Sequence, residues 1–157
     1  MLLENKNAVI YGGGGSIGGA VAKEFAREGA RVFLAGRTRE PLEVVVSEIE
    51  TAGGSAEAAV LDALDERAVN EHAQEVATKA GSIDVSFNLI SLGDVHETPL
   101  AEMSLEDFER PIGTAVRTQF LTSRAAARHM IGQGSGVILT FGGNGGREGR
   151  VPLSGGL

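Results

Sequence analysis

Short apolar runs alternate with longer amphipathic stretches along this chain, and the two patterns have different periods. Residues 8–11, 31–35, 58–61, 85–90 and 137–141 are short, mostly apolar runs bounded by glycine or polar residues, the pattern of strands buried on both faces of a parallel sheet. Between them, residues 17–28, 41–52 and 66–79 carry apolar positions at helical spacing. Gly29 and Gly53 follow the first two helices where a left-handed cap suits glycine. Thr38 is placed to cap the second helix, with Pro41 in its first turn, and Asp65 to cap the third. Farther on, Ser104 is placed to cap a short helix, with Asp107 imitating the acid of a capping box, and Pro111 is expected to end it. A longer helix over residues 114–131 precedes the fifth strand. Alternating strands and helices joined by right-handed crossovers predict an α/β fold, a parallel sheet covered on both faces, with its ligand crevice where the connections reverse direction. The chain shows no internal repeat and no linker.

Glycine sharpens this picture. The chain has 23 glycines in 157 residues, about twice the usual share, gathered mainly over residues 12–19 and 132–156. The first group, Tyr11-Gly-Gly-Gly-Gly-Ser-Ile-Gly18, leaves a predicted strand and opens a predicted helix, the setting of a phosphate-binding turn. Glycines let the backbone approach a pyrophosphate closely, while the N–H groups and dipole of the helix start attract the anion. Ser16 adds a hydroxyl donor. Several registers fit: Gly13, Gly15 and Gly18 as GxGxxG, or Gly12, Gly15 and Gly18 as GxxGxxG, and spacing alone does not choose between them. The plain alternative is a strand-to-helix turn without a ligand. At the end of the second strand, where an acid would bind the ribose hydroxyls of NAD, the chain reads Leu34-Ala35-Gly36-Arg37-Thr38. Arg37 offers a planar cationic fork suited to the extra phosphate of NADP; otherwise it is a solvated surface arginine.

A net charge of −7 without a basic run disfavours nucleic acid and anionic membrane surfaces, which need clustered Lys and Arg. The absence of cysteine excludes disulfides and thiolate metal sites and fits a cytoplasmic setting. Neither a signal peptide nor a membrane-length apolar segment is expected. No pair of histidines or carboxylates has metal-ligand spacing, so no metal is proposed.

From residue 8 to residue 141 the chain resembles the short-chain dehydrogenase/reductase family, whose TGxxxGIG turn matches as YGGGGSIG. The first and last glycines map to Gly12 and Gly18, while Tyr11 and Ser16 depart from Thr and Gly. The acid after the third strand, which in the family faces adenine, matches Asp62, followed by Ala63; as a plain turn residue it would only lead into the next helix. The family's NNAG stretch appears as Asn88-Leu-Ile-Ser91, retaining only Asn88, which would tie neighbouring strands beside the cofactor or satisfy a buried turn. The resemblance implies a Rossmann-type, doubly wound sheet of about five strands in the order 3-2-1-4-5, C-terminally incomplete against the family's fold. It also implies a nucleotide site of Gly12, Gly14, Gly15, Ser16, Ile17, Gly18, Arg37, Asp62, Ala63 and Asn88, with NADP favoured over NAD.

The family's reactive Asn, Ser, Tyr and Lys fare worse. Alignment puts Ala115 at the Asn, Gly143 at the Ser and Gly156 at the Tyr, and places the Lys beyond Leu157. Alanine and glycine have no side-chain group to donate a proton or bind a substrate oxygen. Other protic groups, His96, Ser91, Ser154 and Tyr11, read as structural or solvent-facing, and His72 and His129 as parts of solvated helix faces; no catalytic residue is assigned. Three functions stay open: an NADP-dependent oxidoreductase interconverting carbonyls and alcohols, a dinucleotide-binding or interaction module without turnover, and a fragment that binds nothing well. The partners expected are a dinucleotide and a small-molecule substrate, together with further copies of the chain. The fifth strand is expected to be an exposed edge and the last long helix to lack part of its cover, which invites self-association.

Overall fold

The computed structural model describes residues 1–95 and 98–141. Five parallel strands, β1 (Asn7–Tyr11), β2 (Arg31–Gly36), β3 (Ser55–Val60), β4 (Val85–Asn88) and β5 (Val137–Thr140), form one sheet in the order β3-β2-β1-β4-β5. Helices α1 (Ser16–Arg27), α2 (Arg39–Thr51), α3 (Glu66–Ala80) and α4 (Leu105–Gln133) connect them, with a 3₁₀ turn at Leu100–Glu102 that the sequence pattern did not foretell. The expected fold class and strand order are therefore the observed ones. Side chains alternate across β1 and β2, since successive residues of a strand point to opposite faces. Ala8, Ile10, Val32 and Leu34 pack with Leu42, Val45 and Ile49 of α2. Val9, Tyr11, Phe33 and Ala35 pack with Val69, Ala73 and Val76 of α3 and Leu121 and Ala125 of α4. Two cores thus sandwich one sheet, and its strands all point their C-terminal ends at one edge.

Several local expectations need correction. Pro111 does not end a helix: it lies buried inside α4, which runs unbroken from Leu105 to Gln133. Its ring removes one backbone donor, a loss of about 3 kcal/mol in an isolated helix, but the Ser104 hydroxyl accepts from Asp107 N–H at 3.1 Å and Arg110 pairs with Asp107, so the turn before it is held. Thr38 is the N-cap residue of α2 yet makes no side-chain cap bond, whereas Asp65 accepts the Ala68 N–H at 3.1 Å as expected. β3 starts three residues earlier than its apolar run, because Glu57 is paired with Arg31 and Lys79 and sits in the strand despite its charge. β4 stops at Asn88, where the Asn88 carboxamide accepts the Ile90 N–H and turns the chain. Gly29 and Gly53 do follow their helices with φ of +94° and +85°.

His72 is the largest departure. Read as part of a solvated helix face, it is 7% exposed, with its ring edge-on to Tyr11 at 6.3 Å between centroids. Its place three residues after Val69 and four before Val76 puts it on the stripe that α3 turns to the sheet. On the other side of the fold, β5 is an edge strand of the described sheet. Leu105, Val116, Phe120 and Ile131 are exposed along α4.

Candidate functional site

The glycine turn is shaped by two contacts. Gly12 adopts φ +78°, and a Cβ there would lie 2.4 Å from the Leu89 carbonyl oxygen; a Cβ on Gly18 would lie 2.1 Å from the oxygen of Gly12. No side chain fits at either position. The turn closes by hydrogen bonds from Gly15 N–H to Gly12 O at 3.0 Å and from Gly12 N–H to Ala35 O at 2.8 Å. α1 then starts at Ser16 with Gly15 as its N-cap and no acid in its first turn. Its first N–H groups therefore have no partner within the helix and no nearby carboxylate on it to cancel the dipole.

This turn opens onto two adjoining clefts at the C-terminal edge of the sheet. The first, of about 530 Å³, includes Gly12, Gly14, Gly15, Arg37, Asp62 and Ala63 in its wall, together with Leu89 and Ile90. The second, of about 640 Å³, includes Gly15, Ser16, Ile17, Gly18 and Asn88. All ten nucleotide-site residues named from sequence thus line one of the two clefts. Reading the sequence missed Pro41, Leu61, Arg110 and Thr114 in the first cleft and Asp94 and Gln119 in the second. Most of these come from α4 or from the segment before it, which no motif marks and only the folded chain brings alongside the turn.

The individual side chains differ in what holds them. Arg37 is exposed at the end of the strand run, and among the described residues no carboxylate pairs with it. Asp62 accepts the Leu64 N–H at 2.9 Å, so it shapes its own turn as well as the cleft. Asn88 does not tie neighbouring strands through its side chain: its Nδ2 donates to Thr118 Oγ1 at 3.0 Å and its Oδ1 accepts from Ile90 N–H at 3.1 Å, which fixes the cleft wall to α4. Tyr11 ends β1 in the wall of the first cleft, 2% exposed, and burial pushes its phenol well above the ordinary value of 10.0. Its ring forms part of the cleft wall. Burial likewise holds the His72 imidazole below its ordinary value of 6.5, against a weaker opposing pull from Glu75.

Ala115, which the resemblance aligns with the family's Asn, lines the second cleft. His96, Gly143, Ser154 and Gly156 lie outside the described residues. Ser91 borders both clefts, and His129 is half-buried on α4. Among the described residues no group of three or more His, Cys, Asp or Glu side chains converges as a metal site, and no helix is long and apolar enough to cross a membrane.

A parallel sheet in this order, with a glycine turn after its first strand and a cleft at the strand ends, defines the Rossmann-type nucleotide-binding class. The short chain dehydrogenase family matches residues 6–154, and the chain belongs to it. It is 37% identical over 142 residues to the uncharacterized oxidoreductase YxbG of Bacillus subtilis (strain 168), covering 88% of this chain and 50% of that one. It is 36% identical over 139 residues to gluconate 5-dehydrogenase of Gluconobacter oxydans (strain 621H), covering 88% and 54%. A solved metagenomic short-chain oxidoreductase in complex with NADP superimposes with a TM-score of 0.85 at 30% identity, over 99% of this chain and 70% of that one. The chain spans about half the length of these curated relatives.

Proposed function

We propose that this chain binds NADP in preference to NAD and, by its own residues, holds the dinucleotide without reducing carbonyls. The observation that carries the preference is Arg37: a guanidinium at the end of β2, in the wall of the first cleft, with no carboxylate partner among the described residues and no acid between Ala35 and Arg39. A 2′-phosphate would complete its in-plane donors, whereas a free ribose diol finds no acceptor at the position the family reserves for one. Gly12 and Gly18 permit the tight internal packing of the turn, and the open N–H groups of α1 complement the charge of a pyrophosphate. Asp62, Ala63 and Thr114 line the adenine end in this reading, and Ser16, Ile17 and Asn88 the nicotinamide end. The solved relative in complex with NADP lends support from a similar backbone.

When bound, the reduced dinucleotide would supply a hydride to a carbonyl, or the oxidised form accept one from an alcohol, the reaction of the family. Reduction also needs a group that protonates the new alkoxide and one that holds the carbonyl oxygen. By the family resemblance the reactive places fall on Ala115, Gly143 and Gly156, so in this reading the family's hydride transfer lacks its acid. The exposed apolar side of α4 and the edge strand β5 support association with further copies of this chain.

Fluorescence titration tests the preference. Wild type should bind NADPH more tightly than NADH, and Arg37→Asp should reverse the order, with at least a tenfold loss for NADPH, the scale of one charge-assisted hydrogen bond of about 1.5–3 kcal/mol. Equal affinities in wild type, or an unchanged order in the variant, would remove Arg37 from the site.

A further inference from the structure

Thr118 lies on the inward side of α4 and is 1% exposed, at the boundary shared by the two clefts. A threonine inside a helix commonly spends its hydroxyl on a carbonyl one turn back, as Thr122 does by donating to Thr118 O at 2.8 Å. Thr118 departs from that habit. Its hydroxyl is 3.5 Å from Ala115 O, at the limit of a hydrogen bond, while it accepts from Asn88 Nδ2 at 3.0 Å across the gap to β4. The other end of the same carboxamide, Oδ1, accepts from Ile90 N–H at 3.1 Å. Thr118 and Ile90 therefore hold the two ends of Asn88, and a flipped carboxamide would set Nδ2 against the Ile90 donor. The turn so fixed carries the Leu89 carbonyl, which leaves no space for a Cβ on Gly12. Leu89 N–H also donates to Tyr11 O at 2.9 Å, directly before the glycine turn. A continuous set of contacts thus runs from α4 through Asn88 and Leu89 to Gly12.

We propose that Thr118 is a positioning residue for the dinucleotide site, acting through Asn88 on the wall that backs the glycine turn; the role rests on the dinucleotide reading. Thr118 is too enclosed to reach a ligand itself, so its contribution passes through the groups it holds. Without the hydroxyl, Asn88 Nδ2 loses its acceptor, and a half-buried carboxamide with one end unmet turns toward water. Leu89 and Ile90 then lose their fixed place beside Gly12, and the glycine turn loses the surface it packs on. What the site requires of residue 118 is a hydrogen-bond acceptor at that point, and not the bulk of the side chain.

Three variants separate hydroxyl from shape. Thr118→Val keeps the shape and loses the hydroxyl, Thr118→Ser keeps the hydroxyl and loses a methyl, and Thr118→Ala loses both. NADPH titration should find Thr118→Ser within about twofold of wild type and both Thr118→Val and Thr118→Ala weaker by roughly five- to tenfold, the scale of one unmet neutral donor. Should Thr118→Val fold too poorly to titrate, Thr118→Ser against Thr118→Ala makes the same comparison. Packing alone would reverse the order, with Thr118→Val binding as wild type and Thr118→Ser weakened, and that result would overturn the proposal. A second readout needs no ligand: the Asn88 side-chain amide signal in NMR, assigned by its loss in Asn88→Ala. Its protons should exchange slowly in wild type and Thr118→Ser and quickly in Thr118→Val and Thr118→Ala; equal rates in all four proteins would also overturn the proposal. Wild type that shows the protected amide but binds no NADPH sinks the dinucleotide reading, and this role with it. NADPH binding that Thr118→Val and Thr118→Ala leave intact sinks the role of Thr118 alone.

Discussion

A single methyl group added at position 18 should undo the glycine turn, while the same methyl added elsewhere should strengthen the protein. In Gly18→Ala the new Cβ would stand 2.1 Å from Gly12 O, 2.8 Å from Gly12 C and 3.1 Å from Gly13 Cα. All three are backbone atoms, so no side chain can rotate away, and relief requires nearly 1 Å of main-chain movement. Gly12 has little room to retreat, since its own Cα faces the Leu89 carbonyl so closely that a Cβ there would lie 2.4 Å from it. Overpacking of this kind costs about 1–3 kcal/mol, often at the upper end where backbone must move. The better helix propensity of alanine returns at most about 1 kcal/mol. A Tm fall of roughly 3–8 °C follows for a chain of this size. Dinucleotide affinity should drop more than tenfold, because the displaced groups form the phosphate cradle. Gly113→Ala is the control: Gly113 is exposed within α4, with no atom within 4 Å of the added Cβ. There alanine should stabilise by about 0.4–1 kcal/mol and raise Tm by a few degrees. Differential scanning calorimetry and NADPH titration on both variants decide the matter. If Gly18→Ala keeps wild-type Tm and affinity, or if the two variants shift Tm in the same direction, the turn is not packed as described.

Burial lowers the His72 pKa from 6.5 in the folded state, so below about pH 6.5 the unfolded chain takes up a proton that the native imidazole refuses. His72 should therefore favour the native state fully above that pH, and stability should fall as pH drops toward its lower folded value. His72→Leu should flatten that part of a urea-denaturation series run from about pH 8 to pH 5; equal slopes in the two proteins would show that His72 titrates normally. The wild-type chain with NADPH should reduce no member of a panel of aldehydes and ketones above a protein-free control. Clear turnover would mean that a proton donor other than the missing family groups reaches the second cleft.

The parallel sheet and the two-sided core were legible because they rest on period: short apolar runs, helical spacing and right-handed crossovers have few compatible solutions, and the family resemblance supplied the strand order. The glycine turn was legible for a different reason, since only glycine tolerates the contacts at Gly12 and Gly18 and its clustering leaves a visible mark. What misled was local chemistry overridden by tertiary packing. Pro111 signals a helix end, yet its ring is buried and α4 continues through it. His72 sits among charges in the sequence, but its helix turns it inward against Tyr11. Glu57 masks the start of β3 because its partners, Arg31 and Lys79, lie 26 and 22 residues away. Arg110 and Asp94 carry no motif at all; they enter the clefts only because α4 and the segment before it fold back beside the strand ends.

Tyr11 has a practical use that follows from its position. The chain has one tyrosine and no tryptophan, so nearly all ultraviolet emission of the folded protein originates from a single ring in the wall of the first cleft. Reduced nicotinamide absorbs where tyrosine emission tails, and a dinucleotide in that cleft would quench the ring by energy transfer at short range. Under the proposed dinucleotide binding, this ring would serve as a built-in optical gauge of occupancy, free of any label. Because the same ring touches His72, its intensity would register loosening of the α3 contact as well as filling of the cleft.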